Sequence, residues 1–231
     1  MNLEYFLYDD KVGKVELVQY MGKDITVVNS ARVSFGVHRD EINEKDKKLI
    51  NYLIKHKHTS TLEHNTVTFR IKVPLFVRSQ HHRHRTWSYN EISRRYTKVN
   101  IQFYMPKKFR TQHTTNRQAS NADDLINPHI HVNHWGGNSS ASEAYKEHCF
   151  ESLSLFDALI EEGVCKEQAR GILPQTMYTE YYATANLSNV LKFIELRMHE
   201  GAQWEIQRLA ECMLNIIKEI WPITVESYIN K

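Results

Sequence analysis

Hydrophobic positions recur at helical spacing in several segments of this chain. Within residues 44–56, four aliphatic residues lie on one stripe and lysines lie on the opposite face, which predicts an amphipathic helix. The same type of pattern predicts further helices in five segments: residues 24–35, 143–162, 166–172, 187–197 and 202–220. We interpret Pro222 as the end of the last long helix, residues 202–220, because proline cannot continue a helical hydrogen-bond ladder.

One segment alternates with the period of a β-strand. Between residues 66 and 73, polar and apolar side chains alternate, which predicts a strand with one buried face and one solvated face. Pro74 ends the pattern because it has no N–H to donate to a neighbouring strand. A Tyr- and Thr-rich run at residues 176–186 predicts a second strand. The whole pattern predicts an α+β fold, with a small antiparallel or mixed sheet flanked by helices.

Residues 111–142 are polar, and their hydrophobic residues recur with neither the helical nor the strand period. Long irregular segments are uncommon inside compact domains and are often functional or mobile. We interpret this segment as a polar loop inserted into a single domain that spans residues 1–231.

Composition narrows the class of protein. The length of 231 residues and a hydrophobic content of 41% allow a sizeable core, and a net charge of +3 is too small to indicate nucleic-acid binding by itself. Three cysteines far apart, with no CxxC pair, disfavour a disulfide framework or a zinc ribbon. The chain has no signal-like start and no apolar stretch of membrane-spanning length, so we expect a soluble, cytoplasmic protein.

Candidate chemistry is concentrated in residues 80–96, QHHRHRTWSYNEISRRY. Four arginines and three histidines lie among aromatic and hydrogen-bonding side chains, and packing such cations together is unfavourable unless an anion binds there. Guanidinium groups match phosphate oxygens in pairs, so the segment predicts a site for phosphorylated ligands. Two alternatives are a solvated basic face and a nucleic-acid-binding arm, in which basic and aromatic residues grip phosphates and stack bases.

Histidine clusters raise the question of a metal site. His129, His131 and His134 lie in the polar segment, and three further histidines lie within residues 80–96. Zinc sites usually include carboxylate or cysteine ligands at fixed geometry. We therefore predict that the protein has no metal site.

The cationic segment resembles a known signature. Arg83-His84-Arg85, followed after seven residues by Ser93, is similar to the RHR-x7-S motif of the flavin-dependent thymidylate synthases. Other parts of the chain resemble this family too: ARVSF at residues 31–35, His58-x4-Glu63-His64, Arg170 before Leu173-Pro174, Asn186 and AQWEIQ at residues 202–207. The resemblance covers nearly the whole chain except residues 111–142.

This resemblance implies reductive methylation of dUMP to dTMP, a step of nucleotide biosynthesis. It implies a flavoprotein in which 5,10-methylenetetrahydrofolate donates the carbon and FAD, reduced by NADPH, supplies reducing equivalents. No cysteine is implied as a nucleophile, and the absence of a GxGxxG stretch argues against a Rossmann turn for FAD. The family also implies a homotetramer with sites shared between subunits, and no membrane or nucleic-acid partner. A basic nucleic-acid-binding protein without flavin stays the alternative.

The resemblance also implies roles for individual residues. The dUMP-binding residues would be Gln80, Arg83, Glu91, Ser93, Arg94, Arg95, Arg170 and Arg197. The FAD-binding residues would be Ser60, Arg83, His84, Arg85, Glu91, Asn186 and Lys192. Arg197 is implied as the catalytic residue, because an arginine keeps its proton and can stabilise negative charge on the uracil ring. Arg94 and Lys192 depart from the family, which often has Gly and Asn or His at these positions.

Overall fold

The computed structural model describes residues 3–132 and 137–231. In chain order the strands are β1 (Glu4–Phe6), β2 (Lys14–Met21), β3 (Thr66–Pro74), β4 (Ser88–Glu91), β5 (Phe109–Gln112), β6 (Ser120–Ile126), β7 (His129–Val132), β8 (Gly137–Ser140) and β9 (Tyr178–Asn186). The α-helices are α1 (Asp24–Arg32), α2 (Glu44–Lys55), α3 (Leu75–His81), α4 (Ala141–Glu161), α5 (Lys166–Ala169), α6 (Leu187–Arg197), α7 (Trp204–Ile220) and α8 (Pro222–Ile229).

An antiparallel sheet in the order β1-β2-β3-β9-β4 organises the described part of the chain. The alternating segment forms β3 as predicted, and its apolar residues Phe69, Ile71 and Val73 are fully buried. The Tyr- and Thr-rich run forms β9, which pairs along the whole length of β3. The predicted α+β class, with an antiparallel sheet and flanking helices, is confirmed.

The main core lies between this sheet and the helices that pack on it. The apolar face of α7 and most of α6 are buried there, with Phe193, Leu209 and Ile216 fully excluded from solvent. This packing fixes α6 against the sheet, and Arg197 is the last residue of that helix. The core therefore sets the position of a side chain that the sequence singles out.

The amphipathic pattern located the helices closely. The prediction for residues 44–56 corresponds to α2, which begins after Asn43, whose side-chain oxygen accepts hydrogen bonds from the N–H groups of Lys45 and Asp46. Such a cap satisfies N–H groups that have no partner inside the helix. The prediction for residues 24–35 corresponds to α1 and a following 3₁₀ turn, Val33–Phe35.

One expectation was wrong, and another was right but incomplete. Residues 111–142 were expected to be an irregular loop, but the described part of this segment includes most of two antiparallel hairpins, β5-β6 and β7-β8. Backbone pairing stabilises these hairpins, and β6 has no buried face that would produce an alternating pattern. Pro222 marks the end of the long helix α7 as predicted, and it also begins the short helix α8, because proline is favoured in the first turn of a helix.

The described helices differ from membrane-spanning segments. None of those within residues 3–132 and 137–231 is both long and apolar enough to cross a membrane.

Candidate functional site

The cationic segment forms the end of α3, a turn, and then the edge strand β4. The hydroxyl of Tyr89 on β4 lies 3.0 Å from each of two carbonyl oxygens of the turn, those of His81 and His84. This contact ties the turn to the sheet edge. The Arg83-His84-Arg85 triplet is therefore displayed by a braced turn rather than by a loose loop.

Arg197 reaches this turn from the end of α6. Its Nε donates to Nε2 of His84 at 3.1 Å, and its Nη2 donates to the main-chain oxygen of Gln80 at 3.1 Å. Burial lowers the pKa of the half-buried Arg197, but an arginine stays a cation at neutral pH. Three residues that the family resemblance singled out, Gln80, His84 and Arg197, are thus in direct contact.

The contact with Arg197 defines the protonation state of His84. An arginine N–H can only donate, so Nε2 of His84 must carry the accepting lone pair and the ring proton lies on Nδ1. Burial, and then the positive charge of Arg197, lower the pKa of His84 to about 4. His84 is therefore a neutral side chain at physiological pH.

We expect the imidazole resonances of His84 to remain in their neutral positions as the pH falls through 6.5, and to titrate only near pH 4. Because the folded-state pKa lies below the unfolded one, His84 contributes stability that is complete above pH 6.5 and is lost as the pH falls towards 4. NMR titration of ring-labelled protein measures this midpoint. In Arg197→Gln the midpoint should rise, since one of its two causes is removed; a wild-type midpoint near 6.5 would contradict the assignment.

A fully buried histidine supports the turn from below. Nδ1 of His81 lies 2.8 Å from the hydroxyl of Tyr181, and the rings of Trp87, Tyr89 and Phe193 surround it at 4.7 to 5.3 Å. Burial, followed by nearby positive groups, lowers the pKa of His81 well below its usual value. The neutral ring is therefore part of an aromatic cluster against which the cationic turn packs.

Arg83 and Arg85 differ from Arg197 in their surroundings. Both are exposed, and within the described residues neither side chain has a hydrogen-bond or ion-pair partner. Uncompensated guanidinium groups on a rigid turn are suited to bind an anionic ligand.

A second group of predicted residues lies around Glu167. Nη2 of Arg95 is 3.0 Å from the carboxylate of Glu167, and Nε of Arg170 donates to the main-chain oxygen of the same residue at 3.4 Å. The hydroxyl of Ser93 accepts from the main-chain N–H of Arg95 at 3.3 Å. The structure thus brings Ser93, Arg95 and Arg170 into one exposed cluster that contains two cations.

Arg94 and Glu91 are held by protein groups. Arg94 is buried, and its Nη1 donates to the main-chain oxygen of Val99 at 2.7 Å, which braces the turn after β4. The carboxylate of Glu91 accepts from the hydroxyl of Thr179 at 2.5 Å and lies 3.2 Å from Nε of Arg78. Arg94 thus braces its own loop, whereas Glu91 sits among donors at the sheet edge.

The other predicted FAD residues lie at the opposite end of α6. A cavity of about 510 Å³ is lined by Thr59, Ser188, Lys192 and further lysines, and the exposed Ser60 follows Thr59 in the chain. The hydroxyl of Ser188 is buried and has no hydrogen-bond partner in the described part of the protein. Asn186 begins α6, and its side-chain oxygen accepts from the N–H of residue 189 at 3.0 Å. Glu195 also lines the cavity, which therefore extends along α6 from Ser188 towards Arg197; at about 1.5 Å per residue, Ser188 itself lies roughly 13 Å from Arg197 along the helix.

The described side chains form no metal-binding cluster. Within residues 3–132 and 137–231, no group of three or more His, Cys, Asp or Glu side chains could hold a metal ion. His129 and His131 lie on β7, whereas His134 falls outside the described residues.

Sequence reasoning gave no role to several residues that contact this site. Arg78 pairs with Glu91, Tyr89 braces the turn, and the side chains of Gln203 and Glu205 connect to Gln80. The only signal for the last two was their place in the AQWEIQ motif. Their contacts depend on how the start of α7 meets the end of α3, which no local pattern reports.

Known proteins resemble this chain over most of its length. A family model described as "Thymidylate synthase complementing protein" matches residues 16–223. The chain is 39% identical to the flavin-dependent thymidylate synthase of Thermus thermophilus, over 91% of this chain and 73% of that protein. It is also 39% identical to the enzyme of the same name from Kosmotoga olearia, over 94% of this chain and 90% of that protein.

A solved structure has a similar fold. The UMP/dUMP methylase PolB from Streptomyces cacaoi, bound with 5-Br dUMP, superposes with a TM-score of 0.78 at 30% identity. The similarity covers 94% of each chain.

Proposed function

The chain belongs to the flavin-dependent thymidylate synthase family and is a methyltransferase, and from this premise we propose that it methylates dUMP to dTMP with the help of FAD. The observation that carries the proposal is the contact of Arg197 with Gln80 and His84, beside the exposed Arg83 and Arg85. That arrangement supplies cations for two phosphorylated ligands next to one another.

The cluster of Ser93, Arg95 and Arg170 would bind the phosphate of dUMP. Its two guanidinium groups, the serine hydroxyl and the main-chain N–H of Arg95 are donors that phosphate oxygens accept. Arg95 now pairs with Glu167 at the surface, a contact of small net stability that a phosphate dianion can replace. Arg94 and Glu91 would support this site from the turn and the sheet edge, Glu91 also lying beside FAD.

Arg197 would stabilise negative charge that develops on the uracil ring. Of the five N–H donors of a guanidinium, one on Nε and one on Nη2 bind protein acceptors, which fixes the plane of the group. The remaining N–H groups can donate hydrogen bonds to the pyrimidine ring. Because these donors are already oriented, little reorganisation is needed when charge develops.

FAD fits the residues that the family resemblance assigns to it. Arg83 and Arg85 are exposed cations without protein partners, and His84 is neutral with its Nδ1–H available. At the other end of α6, the unpartnered hydroxyl of Ser188 and the lysines of the cavity, Lys192 among them, are donors suited to phosphate or ribose oxygens. Ser60 follows the cavity-lining Thr59 in the chain, and Asn186 lies two residues before the cavity-lining Ser188. Bound FAD would supply the reducing equivalents, with NADPH as their source and 5,10-methylenetetrahydrofolate as the carbon donor.

The exposed position of these cations also supports shared sites. We propose one domain over residues 1–231 and a homotetramer in which a neighbouring subunit covers the turn at residues 83–85. Phe35, which is 82% exposed after α1, is a further apolar surface that a neighbouring subunit could bury. Light scattering should then give about four times the chain mass of 27.3 kDa.

We expect the purified protein to be yellow, and to form dTMP only when dUMP, methylenetetrahydrofolate and NADPH are all present. Arg83→Ala removes an unpaired guanidinium and should lower FAD occupancy at least tenfold, because a charge-assisted contact to an anion is lost. Flavin absorbance and dTMP chromatography measure the two effects.

Lys218→Ala is the matched control, since it removes an exposed cation from the last turn of α7. It should leave FAD occupancy unchanged. A colourless protein that makes no dTMP but binds RNA in a salt-sensitive way would replace the proposal with the nucleic-acid-binding alternative.

A further inference from the structure

A buried carboxylate lies behind Gln80. Glu205 is 4% exposed, and its two oxygens accept from Nη2 of Arg110 at 2.8 and 2.9 Å. The hydroxyl of Tyr104 lies 3.2 Å from one of these oxygens, and Nε2 of Gln203 lies 2.9 Å from the other. A buried charge held by this many donors has a fixed position.

The carboxylate determines which way the neighbouring amides point. A carboxylate can only accept, so Gln203 must turn its NH₂ group towards Glu205 and its carbonyl oxygen away from it. That oxygen, Oε1, lies 2.6 Å from Nε2 of Gln80. Gln80 must therefore donate to Gln203, and its second N–H faces the main-chain oxygen of Phe76 at 3.4 Å.

The consequence is a defined acceptor on Gln80, the residue whose main chain contacts Arg197. With both N–H groups of its amide directed at protein oxygens, Gln80 presents its own Oε1 without a partner among the described residues. The main-chain oxygen of Gln80 is held by Arg197. The site thus combines donors from Arg197 with one acceptor from Gln80.

We propose that Gln203, Glu205 and Arg110 are positioning residues that hold the Gln80 amide with Oε1 towards the nucleotide, where it accepts a hydrogen bond from a donor group of the pyrimidine substrate. This inference rests on the proposed function, since it takes Gln80 to contact dUMP. Reversal of the amide would replace this acceptor with an NH₂ group, which can only donate. We call the contacts from Arg110 through Glu205 to Gln203 the relay. These three residues influence substrate binding without contacting the substrate.

The β5-β6 hairpin contributes to this relay through Arg110. Arg110 lies on β5, its Nε donates to the hydroxyl of Ser120 on β6 at 2.9 Å, and its guanidinium lies 5.3 Å from the ring centre of Trp204. The polar segment that lacks any sequence period is therefore anchored to the start of α7 by the same ion pair. Loss of Arg110 should affect the nucleotide site through Glu205 and Gln203.

Glu205→Gln is the direct test. A glutamine at 205 can donate as well as accept, so it no longer forces the orientation of Gln203 or of Gln80. We expect the KM for dUMP to rise about tenfold with a smaller change in kcat, because one hydrogen bond to the substrate is lost in binding. Arg110→Met should shift KM in the same direction. Tyr104→Phe is the matched control: it removes another donor to Glu205, leaves Gln203 in place, and should leave KM within twofold.

A double-mutant cycle separates positioning from general loss of structure. In a Gln80→Leu background there is no amide at position 80 for Gln203 and Glu205 to orient. Glu205→Gln should then cause no further rise in the KM for dUMP. Gln203→Leu, which keeps the Glu205–Arg110 pair, provides a second variant if Glu205→Gln does not fold, and flavin absorbance with thermal melting monitors folding. An unchanged KM in both relay variants, or additive effects in the cycle, would overturn the inference. Absence of dTMP formation in the wild type would instead refute the proposed function, and dUMP affinity by calorimetry would still test the relay.

Discussion

Replacement of Arg197 by alanine should abolish dTMP formation while FAD remains bound. The side chain is half-buried at the end of α6 and is fixed by His84 and Gln80, so its free N–H groups are already oriented before substrate arrives. Loss of a preorganised donor of this kind typically lowers kcat by about 10² to 10³. Here a full positive charge is removed as well, so the effect should be at the upper end. Tritium release from [5-³H]dUMP measures it.

Two further variants distinguish charge from geometry. Arg197→Lys keeps the charge but cannot reach both protein acceptors with a planar group, so we expect it to recover only a small part of the activity. Arg170→Ala removes a cation from the exposed phosphate cluster and should raise the KM for dUMP more than it lowers kcat. Turnover by Arg197→Ala within tenfold of wild type, with normal flavin content, would refute the catalytic role.

The sequence predicted elements where one face is buried. The aliphatic stripe of α2 and the alternation of β3 follow from contact with the core, and both elements formed within one or two residues of their predicted bounds. It did not predict β2, whose pairing shifts between Leu17 and Gln19 and whose last four residues are exposed. A bulge and an exposed end interrupt the alternation on which such a prediction depends.

The candidate site, like the fold, was predicted from the sequence only in part. Clustering of arginines within residues 80–96 identified the turn, but it could not separate Arg83, which is exposed, from Arg94, which is buried against its own loop. Arg83 lies in the turn before β4, whereas Arg94 lies in the turn after it, where its Nη1 reaches the main-chain oxygen of Val99. The link from Gln80 to Glu205 joins segments more than a hundred residues apart, so it depends on tertiary packing alone.

Of the substitutions proposed for this protein, Trp221→Ala should cause the largest decrease in the free energy of unfolding. Trp221 lies between α7 and α8, is fully buried, and donates its indole N–H to the side-chain oxygen of Asn65 at 2.9 Å. Removal of a buried tryptophan costs about 3 to 5 kcal/mol through lost burial and the cavity that remains. Asn65 is itself fully buried and its NH₂ group has no partner among the described residues, so losing the indole would leave both ends of its amide unsatisfied.

Trp221→Phe separates the two contributions, because it retains most of the ring but not the donor. We expect it to lower the free energy of unfolding by about 1 to 3 kcal/mol, which is the cost of leaving a buried acceptor unpaired. Ile229→Ala on α8 is the control, since that side chain is 51% exposed and its loss should cost about 0.5 kcal/mol or less. Urea unfolding at fixed protein concentration and saturating FAD measures all three, because bound ligand and assembly shift apparent stability. A Trp221→Ala variant as stable as Ile229→Ala would show that the joint between α7 and α8 does not depend on this side chain.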